Sequence, residues 1–404
     1  MTDTSELIRI YDCKGIAMDV PACPPAETDW TMVSSDGSTR GDHQPLLTEI
    51  EGVLHQRVAR WKVLALHAKL ILQVELEDES TVVARKLMDK EHLLRFQIIK
   101  DECDVRNLQD MLHSEARVLR WLEKSTTLPI PRVMHPLDNI EGADFILQAM
   151  LPGETLLNSW SKLSVYAKDR VVEQFARASI QLFRLEVPQK IGSILASDDN
   201  SQPHDMKPPY HVSFSAPHTF DDIMEYVDYL IDARKSAMTT LGGDNGHLDE
   251  LHGHIRAIYA DVKSENPDMS ALLRCAFVHA DLVNPQNVLV TPEGDISGII
   301  DWEFHLIHPA ILAVEYPAWL LYDGIFDPRS AKVDLTIWLD SPEESARLRV
   351  LYKENVKGLD VGYYNALVQG EKLRACMSWL FTNAESDHDI GCARLKRWMD
   401  CVFK

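Results

Sequence analysis

The dipeptide Pro152-Gly153 divides this chain into two unlike parts, and that division limits what it can fold into. It terminates an apolar run, Phe145-Ile146-Leu147-Gln148-Ala149-Met150, because proline cannot donate to a ladder and glycine weakens a strand. Before the break the regular pattern is that of strands. Leu70, Leu72, Val74 and Leu76 alternate with Ile71, Gln73 and Glu75. A polar turn follows at Glu77-Asp78-Glu79-Ser80, and Thr81-Val82-Val83-Ala84-Arg85-Lys86 reads as the returning strand, rich in β-branched residues. One helix is predicted over 103–124, with Leu108, Met111, Leu112, Val118, Leu119 and Leu122 at helical spacing and Pro129 and Pro131 beyond its end. After the break, segments 162–186, 220–239, 247–263, 342–356 and 369–383 all read as amphipathic helices. Strands first and helices afterwards predict an α+β architecture. The expected organisation is a small β-rich N-lobe over 46–151 and a larger helical C-lobe over 152–404. Residues 1–45 carry Pro21, Pro24 and Pro25 and a polar stretch from Ser34 to Thr39, and are read as an extension that packs no core alone.

Composition narrows the function. The 404 residues hold 41 Lys+Arg against 62 Asp+Glu, a formal charge of −21, which argues against a nucleic-acid binder. The densest basic run, Arg394-Leu395-Lys396-Arg397, reads as one solvated helix face. No stretch of ~18 apolar residues runs uninterrupted, so no membrane span is expected. The start, Met1-Thr2-Asp3-Thr4-Ser5-Glu6, has neither a positive nor an apolar signal region. The seven cysteines are scattered without a CxxC pair, which predicts neither a disulfide framework nor a zinc ribbon. A reducing, cytoplasmic location is the expectation. His247, His252 and His254 lie at helical offsets that do not converge on a metal and are expected to be solvent-exposed, while Cys275 is expected to be a small core residue.

One segment carries chemistry. Phe277-Val278-His279-Ala280-Asp281-Leu282 leads through Asn284-Pro285-Gln286-Asn287 into Val288-Leu289-Val290. A turn at Pro292-Glu293-Gly294-Asp295 and a second apolar strand then deliver Asp301-Trp302-Glu303. Physically this is a loop with one carboxylate and an amide, followed by a hairpin presenting a second carboxylate. An aspartate within reach of a hydroxyl can take its proton, and an asparagine with a second aspartate can hold Mg²⁺ on a transferring phosphate.

His279-x-Asp281…Asn287 followed by Ile299-Ile300-Asp301-Trp302-Glu303 resembles the aminoglycoside phosphotransferase family, within the two-lobed protein-kinase-like fold. The fungal branch that ends in Asp-Trp-Glu is the nearest likeness, over roughly residues 46 to 325. The resemblance implies ATP and Mg²⁺ as cofactors and a small-molecule hydroxyl as acceptor. Asp281 takes the role of base and Asn287 and Asp301 those of Mg²⁺ ligands. Arg85 takes the role of phosphate clamp, with Lys86 as the alternative register, since only one of two neighbouring strand residues can face the cleft. Glu115 is implied as the clamp's orienter, at the edge of its helix's apolar face. Gln148, Ala149, Met150 and Leu151 are implied as the hinge that meets adenine.

Three departures from the family pattern stand out, one of them Arg85 itself, where Lys is commoner but where an always-charged fork still suits phosphate. No glycine occurs between Gly52 and Gly142, so the loop expected to cover the phosphates, Ala65-Leu66-His67-Ala68-Lys69, has to bind less closely or use the Lys69 or His67 side chain. Asn287 stands six residues after Asp281 where the family has five, which leaves Gln286 as the alternative amide ligand. The leading expectation is an ATP·Mg²⁺-dependent small-molecule kinase. The alternative is a pseudokinase-like binding or scaffolding protein without turnover, favoured by the missing glycines and opposed by Asp281 and Asp301.

Overall fold

The computed structural model describes residues 7–11, 17–21, 30–32, 43–66, 68–95, 102–134, 145–195, 205–211, 214–240, 245–282, 285–321, 339–381, 395–396 and 398–403. The polar stretch from Ser34 to Thr39, His67, Asn284 and Arg397 lie outside them.

N-terminal to the Pro152-Gly153 break lies an antiparallel sheet of five strands that follow one another in chain order. They are Thr31–Met32, Val58–Leu66, Lys69–Leu76, Thr81–Leu87 and Phe145–Ala149. Leu70, Leu72, Val74 and Leu76 are buried on one face, with Val82, Ala84, Phe145 and Leu147 beside them and Leu46, Leu47 and Ile50 of the Gln44–Leu54 helix covering them. That helix and the Val58–Leu66 strand escape a periodicity reading. In Val58–Leu66 the register shifts twice, at Val58/Arg60 and Val63/Ala65, so apolar residues do not keep to one face. The short Thr31–Met32 strand pairs with Trp61 and Arg60, so a piece of the 1–45 segment joins the sheet edge. A separate hairpin pairs Leu7–Tyr11 with Ala17–Pro21.

The Glu102–Ser125 helix lies against the sheet's other face, its Leu112, Ala116, Leu119 and Leu122 sharing a core with Ile146. This arrangement buries the fourth strand on both sides. In Thr81–Leu87, Val82 and Ala84 are buried toward the small helix, and Arg85 is buried on the opposite face.

Beyond the break the helices Val165–Phe183, Ile223–Thr240, Gly246–Glu265, Pro342–Leu359, Val361–Gln369 and Glu371–Phe381 surround a core containing Trp160, Trp302, Trp319, Tyr226 and Tyr352. Three of them start with ordinary capping chemistry. Ser164 accepts from Ala167 N–H, Ser341 from Glu344 N–H, and Asp360 from Tyr363 N–H. Within this half Cys275–His279 pairs antiparallel with His305–Pro309, and the Val288–Val290/Ile296–Ile299 hairpin adds Glu154–Thr155 as a third strand. That third strand explains Gly153. Its φ is +101°, and a Cβ there would meet Ser297 Oγ at 2.3 Å. Only glycine accepts both demands, and the close approach ties the end of the sheet to the hairpin that delivers Asp301. Among the described residues no helix is long and apolar enough to cross a membrane.

Candidate active site

Three hydrogen-bonded braces place the two aspartates. The Cys275–His279 strand ends at the loop carrying Asp281, and Ala280 N–H donates to the Phe304 carbonyl at 2.8 Å. His279 is buried. Its Nδ1 accepts from Asp281 N–H at 3.3 Å and its Nε2 donates to the Ile300 carbonyl at 2.9 Å. Those two partners require the neutral Nε2–H tautomer. Burial agrees with them and pushes the imidazole pKa down to about 4. His279 therefore braces the loop carrying Asp281 against the residue before Asp301. Asn287 completes the brace: its Nδ2 donates to Asp281 Oδ2 at 2.8 Å and to the Asp281 carbonyl at 2.9 Å, and its own carbonyl accepts from Ile300 N–H at 2.9 Å.

Asp301 sits in the left-handed region, with φ at +66°. Aspartate tolerates this better than most residues, yet such a conformation costs of order 1–3 kcal/mol and persists only where the surroundings over-determine it. The flanks do so here. Ile300 is bonded to Asn287, and Trp302 is fully buried with its indole N–H on the Ile299 carbonyl at 2.8 Å. The conformation turns the Asp301 carboxylate toward Arg85, whose second guanidinium nitrogen is 2.5 Å away.

Arg85 joins the sheet to this loop. One nitrogen holds Glu115 and another holds Asp301, with Glu303 at 4.0 Å. Burial opposes its charge, but Glu115 and then Asp301 outweigh burial and hold its pKa above the ordinary value. Asp301 shows the reciprocal effect. Burial favours its neutral form, but Arg85 outweighs that and holds the carboxyl below the ordinary range. Asp281 differs: burial comes first and raises its pKa, Asn287 pulls it back, and the nearby Asp301 charge raises it further. The site thus holds two aspartates displaced in opposite directions.

Of the two strand registers, Arg85 is the one that reaches Glu115 and Asp301, and Lys86 is half-buried on the other face. Glu115 is fully buried rather than at a face boundary, because its helix is enclosed by the sheet and by the Ser193–Leu195 strand. Of the two amides, Asn287 is buried on Asp281, whereas Gln286 is exposed. Gln148 is buried, and its side chain donates to Glu115 at 3.4 Å. The amides of Ala149 and Met150 are engaged by the Arg132 and Thr81 carbonyls at 2.8 and 3.3 Å, and Leu151 follows at the segment's end.

Sequence reasoning missed one contact. Lys69, at the start of its strand, is buried and ion-pairs with Glu303, two residues beyond Asp301. Burial pushes its pKa down to about 8, with the Arg85 charge adding to the effect. The glycine-free hairpin tip hinted that Lys69 has a role; nothing in the sequence pointed to Glu303 as its partner.

The histidines of the Gly246–Glu265 helix do not converge. They are half-buried rather than exposed: His252 sits 2.7 Å from Asp228, and His254 stacks on Phe403 at 3.8 Å between ring centres. Cys275 is a buried free thiol whose pKa burial raises to about 11, so it is inert as a nucleophile at neutral pH. Among the described residues no group of three or more His, Cys, Asp or Glu side chains is placed to hold a metal. Asn287 and Asp301 offer hard oxygens, the donor type Mg²⁺ takes when it uses one or two protein ligands and completes its shell with phosphates and water. With its nitrogen on Asp281, Asn287 has its amide oxygen as the remaining ligating atom. Asp301 keeps 28% of its side chain exposed in an otherwise buried cluster. The residues fit the ion.

The chain is similar to known proteins in sequence and in fold. The model of the phosphotransferase enzyme family (APH) matches residues 72–346. "Clavilactone A biosynthesis cluster protein Y" of Ampulloclitocybe clavipes is 31% identical over 409 residues, covering 97% of this chain and 95% of its own. Among solved structures, a streptomycin–ATP–APH(2")-IIa ternary complex is 14% identical, with 87% of this chain and 95% of that chain covered and a TM-score of 0.48. A putative fructosamine-3-kinase from Thermobifida fusca is 16% identical, with 87% and 98% covered and a TM-score of 0.46.

Proposed function

Because the chain belongs to the phosphotransferase enzyme family, we propose that it is a cytoplasmic, ATP- and Mg²⁺-dependent kinase that phosphorylates a hydroxyl group of a small molecule. The observation that carries this reading is the pairing of an amide-braced Asp281 with an Arg85-held Asp301. Phosphoryl transfer needs positioning and charge neutralisation more than covalent chemistry. Asp281, held in one orientation by Asn287, accepts the proton of the attacking hydroxyl. Arg85, aimed by Glu115, takes phosphate oxygens through its planar fork. Asn287 and Asp301 are the residues that would hold Mg²⁺, which when bound neutralises charge on the transferring phosphate. With the Ala149 and Met150 amides engaged, adenine falls to the Leu151 amide and the carbonyls of 148–151. The same reading gives nucleotide binding to 46–151 and the catalytic loop and acceptor to 152–404, with 1–45 as an extension. The relative's place in a biosynthesis cluster fits a small-molecule acceptor.

A nucleotide-binding protein without turnover is the second reading, favoured by the glycine-free hairpin whose lysine is engaged by Glu303. One experiment decides. Thermal-shift titration of the full chain with ATP, with and without Mg²⁺, is followed by measurement of ADP release against a panel of alcohols and amino-sugars. An Mg²⁺-dependent shift with acceptor-dependent ADP release is expected. A shift with silence across the panel selects the second reading, and no shift with any nucleotide defeats both.

A further inference from the structure

The Val58–Leu66 and Lys69–Leu76 strands pair with Leu66 opposite Leu70, and the tip between them is only residues 67 and 68. In a nucleotide site built on backbone amides such a tip needs glycine, because a Cβ keeps the chain away from phosphate. This tip has none. It ends instead in Lys69, whose side chain is only 7% exposed and whose ammonium is paired with Glu303 of the Asp301-Trp302-Glu303 segment. The pair links the hairpin tip to the loop that carries Asp301.

We propose that Lys69 is a second phosphate-binding side chain, standing in for the missing backbone contacts, and that Glu303 holds it in reserve until a nucleotide's phosphates replace the carboxylate. The inference rests on the nucleotide reading above and deepens it. Three observations support it. First, lysine is almost never fully buried unless paired, and a buried ion pair is weak evidence for stability, since apolar residues of similar volume serve the fold as well or better. A buried lysine at a hairpin tip is therefore better accounted for by an anion it is to meet. Secondly, the cluster is asymmetric in charge. Lys69 and Arg85 face Glu115, Asp301 and Glu303, two cations against three carboxylates. Phosphates that draw Arg85 from Asp301 would leave Glu303 as the carboxylate whose cation, Lys69, can be transferred as well. Thirdly, the exchange is chemically matched. Carboxylate and phosphate are both oxyanions, and an ammonium on a flexible stem can pass from one to the other without moving the strand.

The test compares affinities in the full chain for ATP, ADP and adenosine, by thermal shift and calorimetry, for wild type, Lys69→Ala, Lys69→Arg and Glu303→Gln. Lys69→Ala should weaken ATP by ~10–100-fold, the worth of one hydrogen bond to a charged group, and leave adenosine within about twofold. Lys69→Arg should recover ATP binding to within about threefold of wild type. Glu303→Gln, which releases the lysine, should tighten ATP by a factor of about 2–10 and have no effect on adenosine. Glu303→Gln also keeps the test alive where Lys69→Ala folds poorly, because the lysine remains. ATP affinity within about twofold of wild type in Lys69→Ala would overturn the proposal. So would parallel losses of ATP and adenosine in Lys69→Ala and Glu303→Gln, the mark of a pair that only secures the hairpin. A wild-type chain that binds no nucleotide would overturn the underlying reading, and this inference with it.

Discussion

The two halves of the site solve the problem of keeping a half-buried aspartate in opposite ways. On the sheet side Asp301 is held by charge: Arg85 crosses from the sheet to it, Glu115 backs Arg85, and Lys69 holds Glu303 beside them. On the loop side Asp281 is held by neutral groups, the Asn287 amide and, through the backbone, the His279 imidazole. Paired with a guanidinium, Asp301 is kept ionised. Half-buried without a cation of its own, Asp281 is shifted toward the protonated form. Carboxylates whose environments push them apart divide labour: a permanently ionised one suits a cation and phosphates, and one of raised pKa suits proton transfer. The contrast supports the proposed roles without appeal to either residue alone.

The comparison would break most visibly at Asp281. Asp281→Asn keeps a group of the same shape against Asn287 and removes only the proton acceptor. Turnover should fall by ~10²–10⁴-fold, while ATP·Mg²⁺ affinity stays near that of wild type. Single-turnover rates alongside nucleotide calorimetry check this. Loss of nucleotide affinity in that variant would mean that Asp281, too, belongs to the metal side, and the division would fall.

Much of this arrangement is legible in the sequence, for reasons that differ by residue. The helices beyond Pro152-Gly153 are legible because each buries one face of an amphipathic pattern; the expected 342–356 and 220–239 meet Pro342–Leu359 and Ile223–Thr240. The Asp281-to-Glu303 stretch is legible because a loop and hairpin of consecutive residues brings its parts together. Arg85 and Glu115 are 30 residues apart, and only resemblance to a family joins them. Three features were hidden. The Val58–Leu66 strand hides because bulges scramble its alternation. The full burial of Glu115 hides because it depends on what lies over its helix. The Lys69–Glu303 pair hides because a lysine opening a strand reads as an exposed end, and no local pattern identifies a partner so far along the chain.

The charged side is tested by comparing neighbours on one strand. Arg85→Met leaves Glu115, which has no solvent access, without its cation. Stranding a buried partner in this way costs about 3–5 kcal/mol, and Lys86→Met, half-buried on the opposite face, should cost less. Urea unfolding of both variants measures the difference, and nucleotide affinity should follow the same ranking. Equal destabilisation by the two would show that the strand's register toward the cleft does not set the charge lattice.

The smallest effect expected belongs to the neutral side and sharpens the claim that this side excludes charge. His279 is buried as a neutral imidazole, donating to Ile300 and accepting from Asp281 N–H, and its pKa is pushed down to about 4. In the unfolded chain a histidine titrates near its ordinary value of about 6.5. Between these values the unfolded state binds the proton and the native state does not, so protonation favours unfolding and stability falls as the pH drops below about 6.5. Integrated from pH 7.5 to pH 5, the loss from this one residue comes to about 2 kcal/mol. His305, also buried with a lowered pKa, adds a loss of the same sign that is shared by wild type and variant. His279→Gln keeps an amide able to donate and accept but cannot titrate. Its unfolding free energy should therefore be lower than that of wild type at pH 7.5, yet fall less on going to pH 5, by about 2 kcal/mol. Urea titrations of both proteins at the two pH values measure the difference directly. Identical pH dependence would mean that the imidazole is not held neutral in the native state, and that the loop carrying Asp281 is not the charge-free half of the site.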